Sequence, residues 1–387
     1  MINPRYLRNN LIDWFSQDAV QKMHFAVVGC GAVGNEVVKN LTLLGVGAID
    51  VFDFDTIELH NLTKSVLFRE SDVGKNKADV VAERANQLDP NVRINSFPGD
   101  FWDRMSLDMI QKYTAVISCV DNFEARVRLN QLCMLFSKDF INTGIDSRFV
   151  TVEVFPYSKL QDTACYECNL PSSVYERIAK RYSCGWLRKI SYIEKIIPTT
   201  PITASLAGAI ATSYALRLEN LSLDGSKRIF LDSITGISTL SSLNKNDSCL
   251  KCSCRTKNVV VYKASSLISS NVFGLVNIEN KNICFNTSEP ILTEFRCLDC
   301  QPNEKGSTKI FEIARKFDTS ISVCKDCGGS RSDITIKDQF SISDLIRHYR
   351  GYNFPCKFVS AEVDEKLVIF DLEEFNEHNY ENRRPAS

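Results

Sequence analysis

Residues 23–45, MHFAVVGCGAVGNEVVKNLTLLG, decide the fold. A continuous apolar run from Met23 ends at Gly29. Gly29, Gly31 and Gly34 then space a tight loop, and Val37, Val38, Leu41 and Leu44 recur at helical intervals. Strand, loop and helix follow one another directly. AIDVFDFD from Ala48 reads as a second strand ending in carboxylates, Asp79 to Leu88 as a helix, and Val92 to Phe97 as a third strand. Farther on, the strand Ala115 to Val120 stops at Asp121, a charge-rich helix runs from Ala125 to Phe136, and Phe140 to Gly144 and Phe149 to Phe155 supply more strand. This alternation predicts an α/β domain with a doubly wound, mostly parallel sheet and helices on both faces. Its ligand is expected beyond the carboxyl ends of the strands.

The chain has 387 residues, 44% of them apolar, and a net charge of -1 from 46 Lys+Arg and 47 Asp+Glu. Such a length supports two or three domains with a sizeable core. So even a charge balance argues against a polybasic nucleic-acid binder or an acidic tail, which act through a large field of one sign. No stretch approaches the roughly 18 consecutive apolar residues of a membrane span, and Met1 to Asn10 lack the apolar core of a signal peptide. A cytoplasmic protein with neither nucleic-acid nor membrane partners is expected. The small-residue helix Thr203 to Leu218 suits close packing, and the polar, cysteine-rich stretch Asn244 to Lys257 marks a domain boundary near Arg255. Beyond it, NVVVY from Asn258 and KLVIF from Lys366 predict a small β-rich domain, followed by a disordered tail from Asn376 to Ser387. The expected division is an N-terminal arm at 1–22, a nucleotide-binding domain at 23–255 and a C-terminal domain at 256–387.

In the glycine loop, absent side chains let the backbone approach phosphates, and the helix N-terminus stabilises their charge. Asp53, about twenty residues on, suits ribose hydroxyls. An NAD enzyme explains these features equally well. What separates the readings is DFDTIELHNLTKSVLFRESDVGKNKAD, which contains Asp53, Asp55, Asn61, Lys64 and Lys77, and then VDNFEAR from Val120. Together with GCGAVG these blocks resemble the ThiF/MoeB and ubiquitin-activating enzyme family, whose pattern is a carboxylate pair, N-L-x-R, D-x-G-x-x-K, and D-N at the end of a later strand. The resemblance covers residues 1 to about 255 and implies a Rossmann-like adenylation domain that uses ATP and Mg²⁺. It implies that Asp53 holds the ribose, that Asn61 and Lys64 approach the phosphates, and that Lys77 stabilises charge on the transferred adenylate. Asp121 would ligate Mg²⁺, with Asp55 supporting the metal through water. Carboxylate attack on an α-phosphate builds negative charge that needs cations and oriented donors, and a hard dication needs oxygen ligands. Lys64 departs from the pattern, because the family usually has arginine there; lysine keeps the charge and loses the bidentate fork. RYLRN from Arg5 resembles the R-Y-x-R-Q arm of family dimers, which implies a homodimer in which Arg8 reaches the partner's nucleotide site.

Several of the fifteen cysteines form C-x-x-C pairs, which in a chain this long points to metal in a reducing compartment rather than to a disulfide scaffold. Cys165 and Cys168 with Cys249 and Cys252 offer four thiolates for a closed tetrahedral Zn²⁺ site, as in the paired knuckles of the family, and Cys254 is a spare ligand. Cys297, Cys300, Cys324 and Cys327 have ribbon-like spacing for a second structural zinc in the C-terminal domain. Cys184 differs. It lies between CYEC and Pro198-Thr199-Thr200, where thioester-forming members carry a catalytic cysteine on a crossover loop, here expected at about 169–200. Ser183 offers a helix cap, and Arg177, Lys180, Arg181, Arg188 and Lys189 flank the thiol; both features stabilise a thiolate. The alternative is an incidental buried cysteine. His24, His60, His348 and His378 form no pair with metal spacing, and His24 and His60 read as structural.

The resemblance implies ATP-dependent activation of a ubiquitin-like β-grasp protein at its C-terminal glycine, a thioester on Cys184, and transfer to a conjugating-enzyme carrier. The compact length resembles stand-alone bacterial members encoded beside a ubiquitin-like protein, a conjugating enzyme and a JAB-type peptidase, which implies conjugation in phage defence. Two rivals remain. One is a sulfur-carrier protein adenylyltransferase of the ThiF/MoeB sort, for which Cys184 is dispensable; the other is a noncatalytic module that recruits partners.

Overall fold

The computed structural model describes residues 3–181, 198–218, 223–249, 251–252, 258–263, 283–297, 307–314, 327, 332–341, 344, 354–363 and 366–372. The chain forms two compact units, Met1–Pro171 with Glu194–Thr256, and Ser172–Ile193 with Lys257–Ser387.

The first unit is built on eight strands: β1 (His24–Val28), β2 (Ala48–Asp53), β3 (Arg93–Pro98), β4 (Ala115–Ser118), β5 (Asp139–Ile145), β6 (Phe149–Phe155), β7 (Lys227–Asp232) and β8 (Ser238–Ser242). They lie in the order β3-β2-β1-β4-β5-β6-β7-β8. From β3 to β5 all neighbours are parallel, with Phe25 opposite both Ile49 and Ala115. The main helices are α1 (Ala32–Leu43), α2 (Lys77–Leu88), α3 (Phe123–Leu135) and α4 (Pro201–Arg217). Phe25, Val27, Ile49, Val51 and Ile117 share one core with α1, α2 and α4. Their strand neighbours Ala26, Val28, Phe52 and Val116 point to the opposite face and are equally buried, while α3 packs on β4 and β5. Burial on both faces is why these strands read as unbroken apolar runs. The chain winds outward from β1 to β3 and then returns to place β4 on the other side of β1, so β1 and β4 flank the switch point where such folds bind ligands.

The other half of the sheet departs from the mostly parallel expectation, because β5 through β8 pair antiparallel. Only three residues join β5 to β6, too few for a crossover, and Asp146 Oδ1 closes that turn by accepting from the N–H groups of Arg148 and Phe149, both at 2.7 Å. The β7–β8 turn uses Gly236 at φ +72. Neither β7 nor β8 was legible in the sequence. KRIFLD mixes charge with apolar residues, and every residue of STLSS is exposed.

Helix α4 confirms the packing role of its small residues. Ala204, Ala207, Ala211 and Ala215 are buried, and a Cβ placed on Gly208 would lie 2.5 Å from Glu36 Cβ on α1. Beside that contact, Ser205 Oγ donates to Glu36 Oε1 at 2.8 Å.

In the second unit β9 (Asn258–Lys263), β10 (Cys284–Cys297), β11 (Ser307–Ile313), β12 (Ser332–Ser341), β13 (Phe358–Val363) and β14 (Lys366–Asp371) form one sheet, ordered β11-β10-β13-β14-β9 with β12 also on β10. The two β-branched runs seen in the sequence are β9 and β14, parallel partners. Phe285, Ile291, Phe340, Phe354 and Phe370 fill the core. The expected tail from Asn376 lies outside the described residues. Among those that are described, no helix is long and apolar enough to cross a membrane.

Replacing Gly208 by valine should overpack the α1–α4 contact and cost about 1–3 kcal/mol. Denaturant titration of Gly208→Val against the parent measures this, and an unchanged midpoint would contradict the packing assigned to α4.

Candidate functional site

The carboxyl ends of β1, β2 and β4 come together around the glycine loop. Gly29 continues β1 with φ +93, its N–H bonded to Phe52 O at 2.8 Å. A Cβ there would lie 2.7 Å from the Cys119 carbonyl oxygen, and one on Gly34 would lie 1.9 Å from Gly29 O. Those two glycines are therefore demanded by backbone packing. Gly31, the N-cap of α1, has nothing within 4 Å of its Cβ direction, so open space faces the helix N-terminus at that position.

Asp53 ends β2. One carboxylate oxygen accepts from Cys30 N at 2.6 Å and the other from Asp55 N at 2.8 Å. Burial pushes its pKa up, partly offset by these backbone donors. Lys77, the first residue of α2, reaches back to Asp55 with its ammonium 2.7 Å from the carboxylate, and the Lys77 N–H donates to Asp55 O at 2.9 Å. Asn76 caps this helix through Ala78 N at 2.8 Å, while its amide donates to Asp53 O at 3.4 Å. Asp121 lies just beyond β4, exposed, with the Asn122 amide 3.5 Å away. Asn61 is buried and its Oδ1 accepts from Glu58 N at 3.0 Å, so its side chain shapes the loop from within. Lys64 Nζ donates to Thr199 Oγ1 at 3.0 Å. Cys30 and Cys119 flank the loop, and burial raises both thiols, Cys119 to about 12. Neither is activated.

The structure thus brings together Gly29, Gly31, Gly34, Asp53, Asp55 and Lys77, with Asp121 on the adjoining strand end. Arg8 is not brought to them by any hydrogen bond or ion pair among the described residues. The segment around it is nevertheless well anchored. Arg5 pairs with Asp89 at 2.9 Å, the Tyr6 hydroxyl donates to the same carboxylate, and the Tyr6 ring occupies the space a Cβ on Gly45 would need. Burial and that carboxylate push the Tyr6 pKa up to about 12. Arg8 itself is exposed, and so are Leu7, Leu11 and Trp14.

Asn35 escaped the sequence reading. It is fully buried on α1, donates to Cys30 O at 2.8 Å and Gly31 O at 3.0 Å, and accepts from Leu67 N at 2.9 Å. It ties the glycine loop to the segment that bears Asn61 and Lys64. Nothing in an isolated asparagine signals this, whereas Asn76 carries the usual signature of a polar cap before a helix. A cavity of about 200 Å³ opens among Phe123, Arg126, Gly144, Glu153, Tyr166 and Arg228, where Arg126 donates to Asn142 Oδ1 at 3.0 Å and Arg228 to Glu153 Oε1 at 2.7 Å.

The sulfurs of Cys165, Cys168, Cys249 and Cys252 all lie within 4.8 Å of one another. Adjacent pairs are 3.3 to 3.7 Å apart, close to the edge of a tetrahedron with metal–sulfur bonds of about 2.3 Å. The donor set fits Zn²⁺. In the second unit Cys297 Sγ lies 3.6 Å from Cys327 Sγ; Cys300 and Cys324 are outside the described residues, as is Cys184.

Comparison with known proteins agrees with this architecture. The chain is 26% identical over 255 residues to ubiquitin-like modifier-activating enzyme 5 of Bombyx mori, covering 62% of each chain. It is 31% identical over 157 residues to a sulfur carrier protein adenylyltransferase of Thermus thermophilus, covering 40% of this chain and 58% of that one. The chain therefore spans less than two thirds of these curated relatives. Among solved structures, E. coli MccB superposes with a TM-score of 0.51 at 23% identity, covering 65% of this chain and 75% of that one, a likeness of fold. The ThiF family profile matches residues 5–256, well over half the sequence and the whole of the glycine-loop region, and the chain belongs to the ThiF family.

Proposed function

We propose that the chain activates the carboxyl terminus of a small β-grasp protein, ubiquitin-like or sulfur-carrying, by adenylation with ATP. The observation that carries this is the convergence of the glycine loop, Asp53 and the Lys77–Asp55 pair at the strand ends of a ThiF-family fold. In the reaction, a carboxylate oxygen of the substrate attacks the α-phosphorus. The bond to the bridging oxygen breaks, its electrons leave with pyrophosphate, and an acyl adenylate remains. Gly31 lets phosphate approach the α1 N-terminus, Asp53 accepts ribose hydroxyls, and Lys77 and Lys64 offset charge on the phosphates. The exposed carboxylate of Asp121 suits a hard cation, which Asp55 would support through water; Mg²⁺ held there would neutralise part of the polyphosphate charge. The cavity lined by Arg126 and Arg228 offers the substrate terminus an entry.

In our reading Cys184 then attacks the acyl carbon, AMP leaves, and the thioester passes to a conjugating-type carrier. This rests on the motif around Cys184. Exposed Leu7, Leu11 and Trp14 beside Arg8 support a homodimer in which the arm reaches a second copy. The Cys165 cluster is read as structural zinc, and the Cys297–Cys327 approach supports a second site. Resemblance to compact bacterial activators extends the proposal to cytoplasmic conjugation in phage defence. The Thermus relative supports the second reading, in which the adenylate is thiolated instead.

ATP:pyrophosphate exchange with a glycine-terminated β-grasp partner should fall about 10²–10³-fold in Lys77→Ala and Asp121→Asn; exchange retained at parental rate in both would refute the assignment. Gly31→Val should melt like the parent and bind ATP at least about tenfold more weakly, whereas Gly34→Val should fail to fold stably. Calorimetry and thermal melting separate the two. On nonreducing gels a thiol-sensitive adduct is expected in the parent and not in Cys184→Ala; exchange without any adduct would select the sulfur-carrier reading. Metal analysis should find zinc that Cys249→Ser loses together with several degrees of thermal stability.

A further inference from the structure

The two lysines of the site stand in different electrostatic situations. Lys77 is already neutralised by Asp55 at 2.7 Å. Lys64 has no carboxylate partner among the described residues; its ammonium donates to a neutral hydroxyl, Thr199 Oγ1, at 3.0 Å. It is a half-buried cation whose one hydrogen-bond partner among the described residues is uncharged.

The chain next to that hydroxyl is anchored. Thr200, the next residue, caps α4 by accepting from Thr203 N at 3.2 Å, and Thr203 Oγ1 donates to Asp146 O at 2.9 Å. Helix α4 is locked to α1 through Gly208 and the Ser205–Glu36 bond. The lysine's side is tied to the same helix, since Lys64 N donates to Asn61 O at 3.2 Å and Asn35 of α1 accepts from Leu67 N. Both ends of the Lys64–Thr199 bond are therefore referred to α1, the helix that begins at the glycine loop.

We infer that Thr199 is a positioning residue that aims Lys64 at the phosphates of ATP. A lysine is a point charge on a flexible four-carbon stem, and it lacks the planar fork that orients arginine on a phosphate. One fixed hydroxyl restores part of that orientation and leaves two ammonium protons for phosphate oxygens. Thr199 thus compensates for lysine at a position where the family pattern has arginine. The inference rests on the adenylation reading.

The test uses the full chain with MgATP, measuring ATP affinity by calorimetry and KM and kcat in pyrophosphate exchange. Thr199→Val should weaken ATP binding and raise KM roughly three- to tenfold, with kcat changed less and the melting temperature unchanged. Thr199→Ser should stay near the parent. Lys64→Arg in the Thr199→Val background should restore affinity, because the fork orients itself. In a Lys64→Met background Thr199→Val should add nothing. Unchanged ATP affinity in Thr199→Val, or an equal loss with and without Lys64, overturns the positioning role while the adenylation reading stands. A parent chain that binds no ATP overturns both.

Discussion

The backbone contact between Gly34 and Gly29 is the constraint on which the rest depends. With a Cβ direction that points 1.9 Å from a carbonyl oxygen, Gly34 brings the first turn of α1 down onto the end of β1, and Gly29 seats that end against the Cys119 carbonyl beyond β4. Three strand ends and one helix N-terminus are thereby packed without intervening side chains. Glycine costs conformational entropy in the unfolded chain, so such contacts persist where close backbone approach is itself required. Asp53 exploits this closeness by accepting the Cys30 N–H at the helix entrance, and α2 is placed by Asn76 and Lys77, which both bond back to residues 53–55.

From α1 the positioning spreads through side chains rather than backbone. Asn35 fastens the segment bearing Asn61 and Lys64, while Gly208 and Ser205 fasten α4 and with it Thr199. One helix thus acts as the common reference for groups separated by more than a hundred residues of sequence. A buried asparagine with three partners suits this task better than an apolar residue would, because each bond has a direction and loss of any one leaves a polar group unsatisfied.

How much of this was legible in the sequence follows from the range of each interaction. The β1–α1–β2 unit shows itself because strand burial on both faces and helix periodicity are local patterns, and the C-x-x-C pairs show themselves because thiols at fixed spacing have few other uses. That Cys165 meets Cys249 was expected from pairing, and the sulfurs do approach within 3.7 Å. In the antiparallel half β5 and β6 were read as strands, but β7 and β8 and the antiparallel pairing were not, because charged β7 and exposed β8 carry no apolar pattern and the pairing is set by turns at Asp146 and Gly236. Asn35 and Thr199 went unread for another reason: each acts through a partner that only the folded chain supplies.

The charge arrangement places a condition on the proposed chemistry. Asp55 is close enough to Lys77 to cancel it, and the half-buried carboxylate of Asp53 is held by backbone donors, with no salt bridge among the described residues. A polyphosphate entering the site must therefore compete with Asp55 for Lys77, and a site with Lys77 alone would gain little from the exchange. Two features shift the balance toward binding. On the proposed reading, a dication supported by Asp55 would occupy the carboxylate that Lys77 gives up, and Lys64, with no carboxylate partner among the described residues, would offer the phosphates a cation without breaking an ion pair there. On the proposed reading Lys77 would be freed as the nucleotide and metal arrive together, so that its charge would be available when negative charge develops on the transferred group, while Lys64 and the α1 N-terminus would contribute to binding from the outset.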